Sequence, residues 1–173
     1  GAINNLFSPK DAAALADTFP RDHFKTIRSY GGDKDSDYEA RSLIVMGKER
    51  IAYPEELSQA WLELAHDLLS SAYRQAIPCI IGVDLRTAPL EVNISHYGPG
   101  ALLGPHPDLG DKIVTHVLYF NRSWNVKNGG CLAILRSADP TDIVAEIAPI
   151  VGNSAVLVRS DNSWHSVSRV VNT

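Results

Sequence analysis

The spacing of apolar residues changes at Pro89, and this change limits the folds open to the chain. Before it, Pro54–Ala76 places apolar side chains three and four positions apart, which predicts an amphipathic helix with a break near Ser70. After it, short apolar segments of strand length are separated by turn residues. Helices followed by many short strands predict a mainly β fold with flanking helices. We expect a double-stranded β-helix, or jelly roll, with the N-terminal helices packed on one sheet.

Local signals place the individual elements. Ser8 and Pro9 predict the N-cap and first residue of a helix that reaches Thr18. Pro78 is expected to close the second helical region, and Gly31–Tyr38 has the composition of a polar loop. The predicted strands are Phe24–Tyr30, Ser42–Met46, Leu90–Tyr97, Ile113–Asn121, Gly130–Arg136, Ile143–Ile147, Ser154–Arg159 and His165–Val171.

The whole chain has the properties of one globular domain. Its 173 residues carry a net charge of −4, and the pI is 5.8. We therefore expect a single domain over residues 1–173 and no nucleic-acid partner, since no basic surface field is available. Cys79 and Cys131 form no zinc or disulfide pattern, which fits a reducing cytoplasm. No apolar run reaches membrane-spanning length, and no feature of the sequence predicts an oligomeric state.

The candidate functional residues are His106, Asp108 and His165. In an extended segment, residues i and i+2 point the same way, so His106 and Asp108 can reach one metal ion from one strand end. A third ligand, His165, must then arrive from elsewhere in the fold. Two imidazoles and one carboxylate on one side of an ion are the ligand set of non-haem Fe(II) oxygenases, which leaves three positions open. The alternative is a surface His and Asp in a Gly/Pro loop, with His165 a hydrogen-bonded histidine near a strand.

The flanking sequence favours the metal site. From Glu91 onward the chain resembles the 2-oxoglutarate/Fe(II) dioxygenases, and specifically their prolyl-hydroxylase-like branch. The similar motifs, in order, are Tyr97-Gly98-Pro99-Gly100, the His106/Asp108 pair, Thr115–Asn121 with Trp124, Gly129-Gly130-Cys131-Leu132, Gly152–Leu157 and Trp164-His165-Ser166-Val167. Each motif is modest alone, and their order and spacing carry the resemblance.

The resemblance implies roles for these residues. His106, Asp108 and His165 would be the catalytic iron ligands, and Fe(II), 2-oxoglutarate and O2 would be the cofactor and co-substrates, with ascorbate as a candidate reductant. Tyr119 falls where the family has a tyrosine that contacts the far carboxylate of 2-oxoglutarate. Tyr97 matches a second pocket tyrosine, and Thr115 shares the Tyr119 face of its strand by alternation. A core or rim tyrosine remains the alternative for Tyr119.

The basic anchor of 2-oxoglutarate departs from the family pattern. The family places an Arg or Lys on the last strand beyond the distal histidine, and Arg169 is the only base after His165. It precedes the family position by a few residues. We therefore expect a further C-terminal segment with the true anchor and a rim or substrate-side role for Arg169, which becomes the leading anchor if the gene ends at Thr173.

Further expectations concern the surroundings of the site, the reaction type and the substrate. His116 faces away from Tyr119 and is expected to lie under the helices, while Arg159 is a candidate mouth residue. The carboxylate of Asp108 favours hydroxylation, because related halogenases lack it. The substrate would be a peptidyl proline, a free amino acid or a small metabolite, and the sequence does not choose among them. A non-catalytic metal-binding or sensory jelly-roll module of the cupin kind is the alternative.

Overall fold

The computed structural model describes residues 1–31 and 35–172 of the chain. The first half contains β1 (Ala2–Ile3), α1 (Pro9–Asp17), β2 (Lys25–Ser29), β3 (Ser36–Val45), β4 (Arg50–Ile51), α2 (Gln59–Leu69) and α3 (Ser71–Ile81). The second half contains β5 (Val92–His96), β6 (Leu102–His106), β7 (Val114–Leu118), β8 (Leu132–Leu135), β9 (Ile143–Ile147), β10 (Ser154–Val158) and β11 (His165–Val167). Short 3-10 turns span Pro54–Glu56 and Val126–Asn128.

A serine cap begins each of the three helices. The predicted helix start at Pro54 is wrong, because Pro54–Glu56 forms a 3-10 turn and α2 begins only at Gln59. The side-chain oxygens of Ser8, Ser58 and Ser70 accept hydrogen bonds from backbone N–H groups in the first turns of α1, α2 and α3. Ser70 also ends α2, so the predicted break in the long helical segment is confirmed. The prediction that Pro78 closes α3 is wrong. The helix continues to Ile81 and ends at Gly82, whose left-handed conformation lets its N–H reach the Pro78 carbonyl at 2.7 Å.

The strands form two antiparallel sheets. One sheet has the order β1-β10-β7, and the other has the order β2-β3-β6-β11-β8-β9, with β4 and β5 also paired to β3. Helices α1 and α2 cover one side, where Leu15, Trp61 and Ala65 pack with Leu43 and Ile44 of β3. The expected mainly β fold, a jelly roll with flanking helices, is confirmed.

The sequence missed the strand that carries His106. Gly104 and Pro105 read as loop residues, yet they lie in β6, which pairs with β3 and β11. Pairing therefore overrides local propensity here. A Cβ at Gly104 would lie 3.1 Å from the backbone N of Asp35, so a larger residue here would crowd the start of β3.

Two predicted boundaries also shift. The predicted polar loop Gly31–Tyr38 is wrong in its last residues, because β3 already begins at Ser36. Residues 32–34 of this loop lie outside the described residues. The predicted strand His165–Val171 shortens to His165–Val167, because its neighbour β8 ends its pairing at Leu132. The remaining predicted strands of the second half fall on observed strands.

Candidate metal centre

His106 and His165 meet across two neighbouring strands. His106 is the last residue of β6, His165 is the first residue of β11, and the two residues are direct partners in the antiparallel register. Their ring centroids lie 4.4 Å apart. Asp108 follows two residues after His106, as the i, i+2 argument requires. The ligand atoms of the three side chains lie within 4.8 Å of one another, and all three residues are buried.

The tautomers of both histidines suit a metal. The Nδ1–H of His106 donates to the Gly104 carbonyl at 2.8 Å, and that of His165 donates to the Ser163 carbonyl at 2.9 Å. Because a carbonyl can only accept, the proton of the neutral ring must sit on Nδ1, and the lone pair lies on Nε2. Backbone acceptors of this kind orient metal-binding histidines in many proteins.

Asp108 is held as a buried carboxylate by two donors. Lys112 Nζ lies 3.0 Å from Oδ1, and Thr115 Oγ1 donates to Oδ2 at 2.8 Å. Burial acts to raise the pKa of Asp108, but the hydrogen bonds from Thr115 and Lys112 outweigh it, so the pKa lies below its ordinary value. The carboxylate is therefore ionised at neutral pH and in position to bind a cation. The donor set of two imidazoles and one carboxylate fits Fe(II).

Strand β7 separates the site from the helical core. Thr115 contacts Asp108, whereas its neighbour His116 faces the other way and accepts or donates a 2.9 Å hydrogen bond with Tyr73 of α3. Leu118 and Phe120, which share the His116 face by alternation, pack against the helical core. The expected position of His116 under the helices is confirmed. By the same alternation, Tyr119 shares the Thr115 face of this segment.

Tyr38, Tyr97 and Tyr119 lie close together. Tyr97 stacks on Tyr38 with ring centroids 4.9 Å apart, and Tyr97 also interacts electrostatically with Tyr119. Burial raises the pKa of both Tyr97 and Tyr119, so both phenols keep their protons and can donate hydrogen bonds at neutral pH. Tyr38 was not identified from the sequence, because no motif marks it and its contact is made between strands.

Arg169 is directed at the protein surface. Its Nη1 donates to the Gly100 carbonyl at 2.8 Å, and its charge acts on Asp37 and Tyr30. The residue is exposed. Arg159 lies nearer to the candidate ligands, since its Nε is 3.4 Å from the backbone oxygen of Asp108. The sequence identified Arg159 only as a mouth residue and did not identify Lys112, although the i, i+4 spacing from Asp108 was available.

A second group of ligand-type side chains lies elsewhere. Asp22, His23 and Glu56 also bring three ligand atoms within 4.8 Å, but these residues are more exposed than the first group. Arg41, whose side chain is buried, forms an ion pair with Asp22. His23 and Glu56 also bond to each other at 2.6 Å, so two of the three side chains already have a partner in the group. The buried group of His106, Asp108 and His165 therefore remains the candidate metal centre.

Sequence comparison finds a family model that matches the segment with the candidate ligands. Residues 92–173 match the family model of the 2OG-Fe(II) oxygenase superfamily, and this segment contains all three candidate ligands. The resemblance drawn from the sequence is confirmed, since the matched segment is similar to the 2OG-Fe(II) oxygenases and holds the candidate metal centre. A search of curated proteins finds no match.

Solved structures similar to the chain agree in fold. A prolyl-4-hydroxylase from Pseudomonas putida has a TM-score of 0.65 at 21% identity, covering 98% of this chain and 85% of that one. A prolyl hydroxylase from Trichoplax adhaerens, in complex with a peptide fragment of the hypoxia inducible factor oxygen degradation domain, has a TM-score of 0.66 at 18% identity, with coverage of 99% and 78%. A 2OG-Fe(II) oxygenase family oxidoreductase from Burkholderia pseudomallei has a TM-score of 0.62 at 15% identity, with coverage of 93% and 71%. At these identities the similarity establishes the fold alone.

Within residues 1–31 and 35–172, no helix has the length and apolar character needed to cross a membrane.

Proposed function

We propose that the protein is a 2-oxoglutarate-dependent Fe(II) dioxygenase that hydroxylates an unactivated C–H bond of a peptidyl proline, a free amino acid or a small metabolite. The observation that carries this proposal is the pairing of His106 with His165 across β6 and β11, with Asp108 beside them. When bound, iron with 2-oxoglutarate and O2 supplies the oxidising power for hydroxylation and yields succinate and CO2.

The protein itself contributes orientation and charge. His106 and His165 would present Nε2 lone pairs to the metal, because both Nδ1–H groups are held by backbone carbonyls. Asp108 would bring one negative charge, kept ionised by Thr115 and Lys112. All three residues are buried, so bulk water has little access to the ligand side of the centre.

The co-substrate would lie along the Tyr119 side of β7. A neutral phenol donates a hydrogen bond well to a carboxylate, and Tyr119 and Tyr97 both keep their protons. We propose Tyr119 as the donor to the far carboxylate of 2-oxoglutarate and Tyr97 and Thr115 as further residues of this pocket. Arg169 is the available base on the final segment, but its bond to Gly100 favours a rim position.

The proposal also includes a single-domain organisation and a cytoplasmic location. The pairing of β1 with β10 and the packing of the helices on β3 support one domain that includes both halves of the chain. Cys79 and Cys131 are free thiols, which supports a cytoplasmic location.

The test is turnover of 2-oxoglutarate by the Fe(II)-loaded protein. Succinate formation is measured with a panel of prolyl peptides, free amino acids and small metabolites, and the hydroxylated product is located by mass spectrometry. We expect His165→Ala to abolish succinate formation, whereas His66→Ala, a change on the exposed side of α2, should retain it. Metal binding without 2-oxoglutarate binding or turnover would instead favour a non-catalytic, cupin-like metal module.

A further inference from the structure

Two positively charged side chains lie against Asp108 from different segments of the chain. Lys112, in the loop between β6 and β7, places Nζ 3.0 Å from the Asp108 carboxylate. Arg159, directly after β10, places Nε 3.4 Å from the Asp108 backbone oxygen. A backbone hydrogen bond of 3.0 Å from Arg159 to Ile113 joins the two segments. The two cations are therefore held at one edge of the candidate metal centre by the pairing of β7 with β10.

Both cations also reach solvent. The Lys112 side chain is 45% exposed and that of Arg159 is 28% exposed, while the Asp108 carboxylate between them is only 7% exposed. Their charged groups thus lie at the boundary between the buried ligands and the outside. A substrate that approaches the metal along this edge meets these two groups first.

With the metal bound, neither cation has a strong ion pair that would keep it from binding a ligand. Arg159 pairs with Asp161, which is 86% exposed, and such surface ion pairs contribute little. Lys112 pairs with Asp108, its one recorded partner among the described residues. When a divalent metal takes up the charge of Asp108, Lys112 loses most of its counter-charge. Its ammonium group can then bind another anion.

The same edge also offers apolar surface. Leu109 and Ile113, which flank Lys112 in the loop, are 66% and 43% exposed. Neighbouring exposed apolar side chains can form a patch that contacts the aliphatic part of a ligand. This edge therefore combines an aliphatic surface with two cations.

We propose that Lys112 and Arg159 bind a carboxylate of an aliphatic substrate at the edge of the candidate metal centre. This inference rests on the proposed function and narrows its substrate class. The carboxylate belongs either to a small amino acid derivative or to the C-terminal residue of a peptide, and the same two cations would bind both. Lys112 and Arg159 position the substrate, and neither is a metal ligand.

The experiment measures probe binding without turnover. Protein loaded with Mn(II) and 2-oxoglutarate under argon is titrated with N-acetylproline and, separately, with N-acetylprolinamide, which lacks only the carboxylate. Binding is read from the relaxation that Mn(II) induces in the probe protons. A lost charge-assisted hydrogen bond corresponds to roughly ten- to a hundredfold in affinity. We therefore expect the acid to bind at least about tenfold more tightly than the amide.

Variants test the assignment to these residues. Lys112→Met should remove most of the preference for the acid, Lys112→Arg should retain it, and Arg159→Met should weaken it. Lys48→Met removes an exposed lysine from the turn between β3 and β4 and should change nothing. A tetrapeptide that ends in proline, as free acid and as amide, tests the peptide source. If the acid is preferred over the amide only for N-acetylproline, the substrate is a small molecule. If the acid is preferred for N-acetylproline and for the tetrapeptide, the site binds the C-terminal residue of a peptide.

Two failures are distinguishable. If Mn(II) titration followed by electron paramagnetic resonance detects no site in the wild-type protein, the proposed function fails, and this inference fails with it. If Mn(II) binds but acid and amide probes bind alike, or the Lys112→Met variant keeps the full preference, only the carboxylate site is overturned. The Mn(II) affinity of Lys112→Met and Lys112→Arg is measured in the same titration, and probe binding is compared only at saturating Mn(II), so that a change in metal binding is not mistaken for a change in carboxylate preference.

Discussion

The hydrogen bond from Thr115 to Asp108 gives a direct test of the metal centre. Replacing Thr115 by Val exchanges the hydroxyl for a methyl group of similar size, so packing changes little and the 2.8 Å bond to Oδ2 is lost. Asp108 then keeps Lys112 as a partner of its other oxygen. Because Asp108 is buried, water can replace the lost donor only poorly.

Two different magnitudes follow from this change. The bond exists without the metal, and a hydrogen bond to a charged group contributes about 1.5–3 kcal/mol, so the metal-free protein should lose about that much unfolding free energy. Because the hydrogen bond is present both with and without the metal, its energy does not contribute directly to the metal affinity. What remains is the poorer orientation of the carboxylate, and loss of such an outer partner weakens metal binding by roughly 10–100-fold.

Mn(II) titration by electron paramagnetic resonance and urea unfolding of the metal-free protein measure the two quantities separately. Thr115→Ser keeps the hydroxyl and should stay close to wild type in both. Thr26→Val, on the exposed strand β2, is the matched control for the same substitution outside the site. Unchanged Mn(II) affinity together with unchanged stability in Thr115→Val would refute the view that this bond positions Asp108.

Further predictions concern the ligands, the co-substrate pocket and pH. His165→Ala should abolish Mn(II) binding in the same titration and leave the circular dichroism spectrum nearly unchanged, since the residue lies at a strand end; retained tight binding would remove His165 from the site. Tyr119→Phe should raise the apparent KM for 2-oxoglutarate by about ten- to a hundredfold, through loss of one hydrogen bond to a carboxylate. In steady-state kinetics, an unchanged KM would make Tyr119 a packing residue. Arg169→Met should leave 2-oxoglutarate affinity by calorimetry unchanged, since its guanidinium is bound to Gly100, and a lost affinity would make Arg169 the anchor. Burial lowers the pKa of His116 below 6.5 in the folded state, so the unfolded chain takes up a proton first as the pH falls. Stability from this residue should therefore be complete above about pH 6.5 and decline below it by up to about 1.4 kcal/mol per pH unit, and His116→Gln should show a shallower decline in urea unfolding between pH 6.5 and 5.

The sequence determined what depends on neighbouring residues. Ser8 marked the start of α1 and Ser70 marked the break before α3, and the i, i+2 spacing put His106 and Asp108 within reach of one ion. Alternation along β7 separated Thr115 from His116, with one facing Asp108 and the other facing the helices. These relations are set by the geometry of a single helix or strand, so they can be inferred without knowing the fold.

The tertiary structure decided what depends on pairing between distant segments. The position of His165 opposite His106 follows from the register of β11 against β6, a strand whose Gly104 and Pro105 gave no local sign of it. The stacking of Tyr38 on Tyr97 and the approach of Arg159 to Asp108 arise in the same way. A shift of one residue in such a register would turn each side chain to the opposite face of its sheet. Register is set by the packing of the whole domain, so the sequence could name the residues of the centre but could not place them together.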